Sequence, residues 1–148
     1  MRLEDEIKSS FRNEYHKALV NLYYTNSLIG QKFFKLINKH GLATPQFNVL
    51  RILKGQYPKA ATIGLIKDRM VDKNSDASRI VDRLHKKELV NRTESQIDRR
   101  QKEVIITQKG LDLLEKMSFC EEEEDAILSN LNKQEVQHLN MLLDKIRS

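Results

Sequence analysis

Two segments of this 148-residue chain have the composition of β-strands, residues 89–94 and 102–107. The polar loop "SQIDRRQ" separates them, so the pair is predicted to form a hairpin whose tip projects. The chain contains only two prolines and five glycines, which favours long helices over a loop-rich or all-strand protein. We therefore predict a single, mostly α-helical (α+β) domain that contains one two-stranded hairpin.

Four amphipathic segments precede the hairpin. Apolar residues recur every three or four positions from Phe11 onward and predict a long first helix that ends at Gly41. The segment "TPQFNVLRILKG" predicts a short second helix that is capped by Thr44 and has Pro45 at its first position. The third segment, "ATIGLIKDRM", has Thr62 as its cap, and the fourth is "SDASRIVDRLHKKE". The hairpin thus follows a run of four predicted helices.

The fourth helix, residues 75–87, has two chemically different faces. Ser75 can cap it, and one face is an apolar stripe of Ala77, Ile80, Val81 and Leu84. The other face is polar and strongly basic, and it carries Ser78, Arg79, Asp82, Arg83, Lys86 and Lys87. The spacing also allows Arg79 and Arg83 to pair with Asp76 or Asp82. This helix is predicted to pack by its stripe and to present its cations to solvent.

Two more helical segments follow the hairpin. Thr107 can cap the first, whose apolar positions continue to residue 131 on both sides of the acidic run "EEEED". The last segment, "NKQEVQHLNMLLDKI", begins with Asn132 and Glu135 at capping-box spacing. We expect the acidic run to be a solvated helix face.

Charge is concentrated in the middle of the chain. The net charge is +5, yet residues 44–110 contain 15 lysines and arginines against 8 aspartates and glutamates, a local net of +7. A concentrated positive surface suits the neutralisation of phosphates, although an acidic protein or a membrane surface could also bind it. No apolar run is long enough to cross a bilayer, and the polar amino terminus does not resemble a secretory signal, so we expect a cytoplasmic protein.

The pattern does not favour an enzyme, a metal site or a bound cofactor. The four histidines have no carboxylate or thiol partner at motif spacing, and neither a phosphate-binding glycine loop nor a zinc signature occurs. Cys120 is the only cysteine and cannot form an internal disulfide; it is expected to be a small packing residue, with a redox sensor as the alternative.

Two short helices, the second of them basic, followed at once by a hairpin with a cationic tip have the layout of a winged helix-turn-helix. A major groove about 12 Å wide admits one helix, whose first residues reach the base edges. A minor groove about 6 Å wide admits an extended arginine but not a helix. The fourth helix and the hairpin tip are therefore predicted to contact DNA.

These residues resemble the MarR family of transcriptional regulators. The resemblance lies in "SDASRIVDRLHKKELVNR", in "DRR" at residues 98–100, in "ITQKG" with its Thr-x-x-Gly spacing, and in the earlier "TPQFNVLRIL". It covers nearly the whole chain. It implies a homodimer that reads a pseudo-palindromic operator, with a DNA-binding lobe at residues 44–110 and a helical dimerisation region at residues 1–41 and 111–148.

The resemblance also assigns roles to individual residues. It implies that Arg100 enters the minor groove, that Asp98 braces the wing by pairing with an arginine, and that Arg99 binds phosphate. The complete set of predicted DNA-contacting residues is Asn74, Ser75, Asp76, Ser78, Arg79, Arg83, Asp98, Arg99, Arg100 and Lys102. The family usually has glycine where this chain has Glu88, so a left-handed backbone there would strain the turn by roughly 1 kcal/mol.

The function expected from the resemblance is that of a repressor released by a small-molecule or chemical signal, with the effector held between the long first helix and the winged lobe. Two other classes use the same basic face: a protein-interaction module with an acidic partner, and a protein that coats nucleic acid without sequence preference.

Overall fold

The computed structural model describes residues 1–148 as eight helices and three short strands. In chain order these are α1 (Leu3–Ile7), α2 (Glu14–Asn38), α3 (Thr44–Gln56), β1 (Ala61–Thr62), α4 (Ile63–Arg69), α5 (Ala77–Lys86), β2 (Val90–Glu94), β3 (Lys102–Ile106), α6 (Gln108–Lys116), α7 (Cys120–Ala126) and α8 (Lys133–Arg147). The predicted fold class is confirmed: α4 and α5 form the helix-turn-helix, and β2 and β3 form the two-stranded wing.

The three strands make one antiparallel sheet in the order β1, β3, β2. In the wing the register places Val90 opposite Ile106. The short strand β1 was not predicted, because two residues cannot show an alternating pattern. Thr62, at its end, caps α4 as predicted, and its hydroxyl accepts a hydrogen bond from the Leu65 amide at 3.1 Å.

The hydrophobic core lies in the lobe that α3 to α6 form with the sheet. Its fully buried members include Val49, Leu50, Leu53, Ile66, Val81, Leu84, Val90 and Val104. Burying one aliphatic side chain of this kind contributes about 1.5–3 kcal/mol. The apolar stripe of α5 therefore holds this helix against the lobe and leaves its basic face outward.

Two helix starts differ from the predictions. A short helix, α1, precedes the long helix, which begins after its cap Asn13 and not at Phe11. Thr44 is the first residue of α3, so its predicted capping role is wrong; Gln46 Oε1 instead accepts a hydrogen bond from the Ala43 amide at 3.0 Å. Several neighbouring polar side chains can accept a hydrogen bond from the free amides at the start of a helix. Residue spacing alone therefore does not identify the capping residue.

The single helix predicted from Thr107 to residue 131 is also wrong, because the chain turns at residues 117–119 before α7. At this turn the amides of Ser118 and Cys120 donate to carbonyls three residues back, at 3.1 and 2.9 Å. These hydrogen bonds are of the 3₁₀ type, and they end α6 although the turn contains no proline or glycine. The turn leaves Met117 and Cys120 buried in the core and packs α7 against α2.

Helix α6 begins against the turn that connects α5 to the wing. The Thr107 hydroxyl accepts from the Gly110 amide at 3.1 Å and donates to the Glu88 carbonyl at 2.7 Å. A Cβ atom at Gly110 would lie 2.5 Å from the Leu89 carbonyl oxygen and 2.7 Å from Ile106 Cγ1. The Thr-x-x-Gly spacing thus reflects the close approach of α6 to the backbone of the turn.

Glu88 adopts the left-handed backbone that the resemblance assigns to a glycine, with a φ of 62°. The turn is a Schellman motif, in which the Leu89 amide donates to the Leu84 carbonyl at 3.0 Å and the Glu88 amide to the His85 carbonyl at 2.9 Å. The Glu88 carboxylate lies in solvent, 3.5 Å from Lys109 Nζ. The predicted strain is therefore present at this position.

Replacing Glu88 with glycine should stabilise the protein. The Glu88→Gly variant removes the left-handed penalty, offset in part by the greater freedom of glycine in the unfolded chain, so the free energy of unfolding should rise by roughly 0.5–1 kcal/mol. Urea denaturation measures the change. Glu88→Gln, which loses the ion pair with Lys109 but keeps Cβ, is the control and should bring no gain. A stabilisation equal in both variants would show that charge, and not backbone strain, dominates.

Candidate functional site

The amino-terminal end of α5 presents polar and cationic side chains to solvent. Asp76 caps the helix, with Oδ1 accepting from the Arg79 amide at 3.2 Å, so the capping role predicted for Ser75 is wrong by one residue. Ser78 and Arg79 lie in the first turn and Arg83 lies one turn further, all three exposed. A helix end of this kind can meet base edges and phosphates.

The linker before α5 is ordered by Asp72. Its Oδ1 accepts from the Asn74 amide at 2.9 Å, and its carbonyl accepts from the Ser75 amide at 3.2 Å. Asn74 is exposed beside the start of α5, whereas Ser75 is half-buried and faces the interior side of the linker. Of these two predicted contact residues, Asn74 has the more accessible side chain.

The wing tip is held together by hydrogen bonds that its own main-chain amides donate. Ser95 is buried, its amide donates to the Gln101 carbonyl at 2.8 Å, and its Oγ accepts from the Ile97 amide at 3.2 Å. Asp98 Oδ1 accepts from the Arg100 amide at 3.0 Å. Asp98 therefore braces the tip through the backbone, and the predicted pairing with an arginine side chain does not form.

A cleft of about 380 Å³ separates α5 from the wing. Ser78 of α5 lines one side of the cleft, while Arg100 and Lys102 of the wing line the other. An ion pair between Arg92 of β2 and Asp82 of α5 ties the two elements together. The role of Arg92 has no signal in the sequence, because this contact joins a strand to a helix and follows no local spacing.

The cations of this face have no acidic partner. No carboxylate oxygen lies within 4 Å of the charged groups of Arg79, Arg83, Arg99, Arg100 and Lys102. The pairing of Arg79 or Arg83 with Asp82, which their spacing allows, does not form, since Asp82 contacts Arg92. The helix and the wing thus present unneutralised positive charge, as binding to phosphates requires.

A second region is a cavity of about 810 Å³ between α2, α3, the linker of residues 70–75 and α7. The rings of Phe33 and Phe47 meet edge to face on its wall, with centroids 6.0 Å apart. Arg51 lies over the Phe47 ring, 5.7 Å from its centroid, and its Nη1 is 3.2 Å from Glu121 Oε1. The cavity lies between the long helix α2 and the segment that leads into α5.

Glu124 of α7 reaches into this cavity. Its Oε1 is buried and has no hydrogen-bond partner. Burial raises the pKa of this carboxyl, the neighbouring Glu121 and Asp125 act in the same direction, and Arg51 opposes them. The expectation that the whole acidic run is a solvated face is therefore wrong for Glu124, although the other four carboxylates are exposed.

Comparison with known proteins assigns the chain to a family. The MarR family model matches residues 42–102, from the start of the lobe into the second wing strand. The HTH-type transcriptional regulator MhqR of Bacillus subtilis is 34% identical over 115 residues, which are 76% of this chain and 77% of MhqR. The chain belongs to the MarR family.

Two solved structures share the fold of this MarR-family protein. A mutant MarR from Escherichia coli in complex with operator DNA superposes with a TM-score of 0.79 and 22% identity, over 93% of this chain and 99% of that one. BpsR from Bordetella bronchiseptica, whose DNA binding is regulated by 6-hydroxynicotinic acid, superposes with a TM-score of 0.75 and 24% identity, over 89% and 99%. Both likenesses extend through the helical ends as well as the winged lobe.

The MarR-family protein is accordingly a DNA-binding transcriptional regulator with a winged helix-turn-helix. The predicted family, fold class and broad function are confirmed. None of its eight helices is long and apolar enough to cross a membrane.

Cys120 of the regulator has the environment of a packing residue. The side chain is 1% exposed, and burial raises the pKa of its thiol. Its Sγ lies 3.7 Å from His40 Nε2, a contact between residues 80 positions apart that no motif spacing could reveal. A buried thiol with a raised pKa is a poor nucleophile, so the pair has no catalytic arrangement.

Neutralising Glu124 should stabilise the regulator at neutral pH. Because the folded-state pKa is raised above the reference value of 4.5, the protonated carboxyl favours folding; this contribution is present below pH 4.5 and is lost as pH rises through the folded-state pKa. Glu124→Gln should therefore raise the free energy of unfolding by about 1 kcal/mol at pH 7, and the gain should vanish in acid. Urea denaturation at several pH values checks this, with the exposed Glu122→Gln as control. A gain independent of pH would contradict the assignment.

Proposed function

We propose that this MarR-family regulator is a repressor that binds a pseudo-palindromic operator as a homodimer and is released by a small-molecule or chemical signal. The observation that carries the proposal is the single cleft lined by Ser78 of α5 and by Arg100 and Lys102 of the wing. A helix and a cationic hairpin held at fixed spacing suit adjacent major and minor grooves. Unpaired arginines on both elements supply the positive charge.

The predicted contact residues take distinct roles in this proposal. Asn74, Asp76, Ser78 and Arg79 meet base edges or nearby phosphates at the start of α5, with Ser75 supporting the linker and Arg83 one turn further along. Arg100 enters the minor groove, Arg99 and Lys102 bind phosphates, and Asp98 keeps the tip in shape through its bond to the Arg100 amide. Asp76 accepts from the Arg79 amide and can also accept from a cytosine amino group.

Replacing Arg100 tests the role of the wing. Arg100→Ala should weaken operator binding by about 1–3 kcal/mol, because the minor-groove contact is lost, and Lys102→Ala should lower affinity almost evenly across sequences. Fluorescence anisotropy on a selected operator and on random DNA measures both. Arg100→Lys keeps the positive charge but loses the planar guanidinium group. It therefore distinguishes the contribution of guanidinium shape to binding from that of charge. Unchanged binding by Arg100→Ala would show that the wing does not reach the groove.

Selection of a binding site from random duplexes distinguishes the three classes of function. A specific regulator should prefer its selected site by roughly a thousandfold or more over random DNA at physiological salt. A coating protein would bind both with similar, strongly salt-dependent affinity, and a protein-interaction module would bind neither. Only the first result agrees with the proposal.

Dimerisation is proposed through the amino-terminal half of α2 and through α8, outside the lobe at residues 44–110. Large apolar side chains are exposed there, and they are Tyr15, Leu19, Leu22, Tyr23, Met141, Leu142 and Ile146. Tyr15 and Ile146 are 88% and 65% exposed, which is unusual for a soluble protein unless a partner covers them. A twofold axis would set two lobes about 10 base pairs apart on one face of DNA.

A charge placed on this apolar surface should break the dimer. Ile146→Glu should convert the protein to monomers at micromolar concentration, because a carboxylate buried in an interface costs several kcal/mol. Sedimentation velocity measures the mass, and operator binding should weaken in parallel. Asn140→Glu adds the same charge to an exposed polar position of α8 and should leave the dimer intact. A dimeric Ile146→Glu would move the interface elsewhere.

Release is proposed to act through the cavity between α2 and the lobe. Its wall includes the linker of residues 70–75, and the Val71 amide in that linker donates to Asn48 Oδ1 of α3 at 3.0 Å. An effector that favours one linker position would shift the lobes away from the spacing of the operator. DNA is the proposed partner in the cytoplasm, with no membrane or cofactor role.

A further inference from the structure

The charge of the cavity differs from what an anionic effector would need. The charged residues that line it are Arg51, Asp72 and Glu124. Arg51 already lies 3.2 Å from Glu121 Oε1, so its positive charge is compensated by a residue outside the lining. Asp72 and Glu124 then outnumber the single cation of the lining, although Arg51 also acts on Glu124. The interior of the cavity is accordingly net negative.

The two carboxylates differ in how well they are satisfied. Asp72 Oδ1 accepts from the Asn74 amide at 2.9 Å. Glu124 Oε1 is buried without any partner, and the groups around it are Arg51, Glu121 and Asp125. A buried acceptor that has lost its water without gaining a donor is costly. Because Glu124 also lines the cavity, a ligand there can bring a hydrogen-bond donor, preferably a positively charged one, to its poorly satisfied carboxylate.

The remaining walls suit a flat apolar group. Phe33 and Phe47 meet edge to face, and Ile29, Pro45 and Met70 add further apolar surface. A volume of about 810 Å³ lies in the range of sites that hold drug-sized ligands. Arg51 covers one side of the Phe47 ring. The apolar walls and Glu124 thus offer contacts to the two ends of one amphipathic molecule.

We propose that the effector of this regulator is an aromatic cation, whose ring packs against Phe33 and Phe47 and whose ammonium group donates a hydrogen bond to the Glu124 carboxylate. This inference rests on the proposed function and names the chemical class of its signal. An aromatic carboxylate would instead meet Asp72 and Glu124, and the one cation of the lining, Arg51, already pairs with Glu121. The occupied cavity contacts the linker of residues 70–75, so the cation weakens DNA binding.

Three probes with the same indole ring test the charge preference. Tryptamine carries an ammonium group, indole-3-acetate a carboxylate, and indole-3-ethanol a neutral hydroxyl. Isothermal titration calorimetry on the full-length protein should give a dissociation constant for tryptamine about tenfold or more below that for indole-3-acetate, because a hydrogen bond to a charged group is among the stronger polar contacts. Tryptamine should also lower operator affinity.

Variants show whether Glu124 is the anchor. Glu124→Gln should weaken tryptamine binding about tenfold and leave indole-3-ethanol binding unchanged. Glu122→Gln removes the same charge from an exposed position of the same helix and should change neither. Asp72→Asn provides a second variant inside the cavity and should reduce tryptamine binding by a smaller factor, since Asp72 already holds the Asn74 amide.

The inference would be overturned if indole-3-acetate bound as tightly as tryptamine, or if tryptamine did not bind at millimolar concentration. Equal losses in Glu124→Gln and Glu122→Gln would do so too, because they would indicate a general charge effect. Operator binding is measured without any probe in the same samples. A protein that binds its operator but ignores tryptamine keeps the proposed function and loses this inference. A protein that binds tryptamine but selects no operator loses the proposed function, and with it the role of the cation as an effector.

Discussion

The position of the wing relative to α5 depends on one turn, formed by residues 87–89. The Leu89 amide closes the end of α5 at the Leu84 carbonyl, and the Leu89 carbonyl accepts from the Thr107 amide at 3.0 Å. The Thr107 hydroxyl binds the carbonyl of Glu88, and the absence of a Cβ at Gly110 lets α6 approach the same backbone. Helix α5, the wing and helix α6 therefore meet at a single left-handed residue, and these contacts set their relative positions.

Charge is divided between two surfaces with opposite environments. Apart from Arg92, which pairs with Asp82, the cations of α5 and of the wing have no acidic partners, so they remain available to a polyanion. On α7, burial places Glu124 where its charge is disfavoured, and Glu121 takes the nearby Arg51. The linker of residues 70–75 lies between these surfaces and ends at Asp76, the cap of α5. A conformational change at the cavity can therefore be transmitted through this linker to α5, the DNA-binding helix.

Local patterns predicted most of the DNA-binding lobe. The stripe of α5, the β-rich runs and the caps Thr62 and Thr107 were identified because each depends on residues a few positions apart. Local sequence patterns did not predict the structure where contacts between distant segments determine it. The break after α6 has no proline or glycine, and the contact of Asp82 with Arg92 joins two different elements. The burial of Glu124 within an acidic run is a third such case.

The amino-acid sequence by itself determined the order of the elements, the basic face of α5, the cationic hairpin and membership of the MarR family, since periodicity, composition and motif spacing are properties of neighbouring residues. Only the tertiary structure decided that Ser78, Arg100 and Lys102 share one cleft, that Asp98 braces the wing through its backbone, and that a net-negative cavity lies beside α2. These features arise between segments far apart in the chain, where packing of the core sets the distances and no local signal exists.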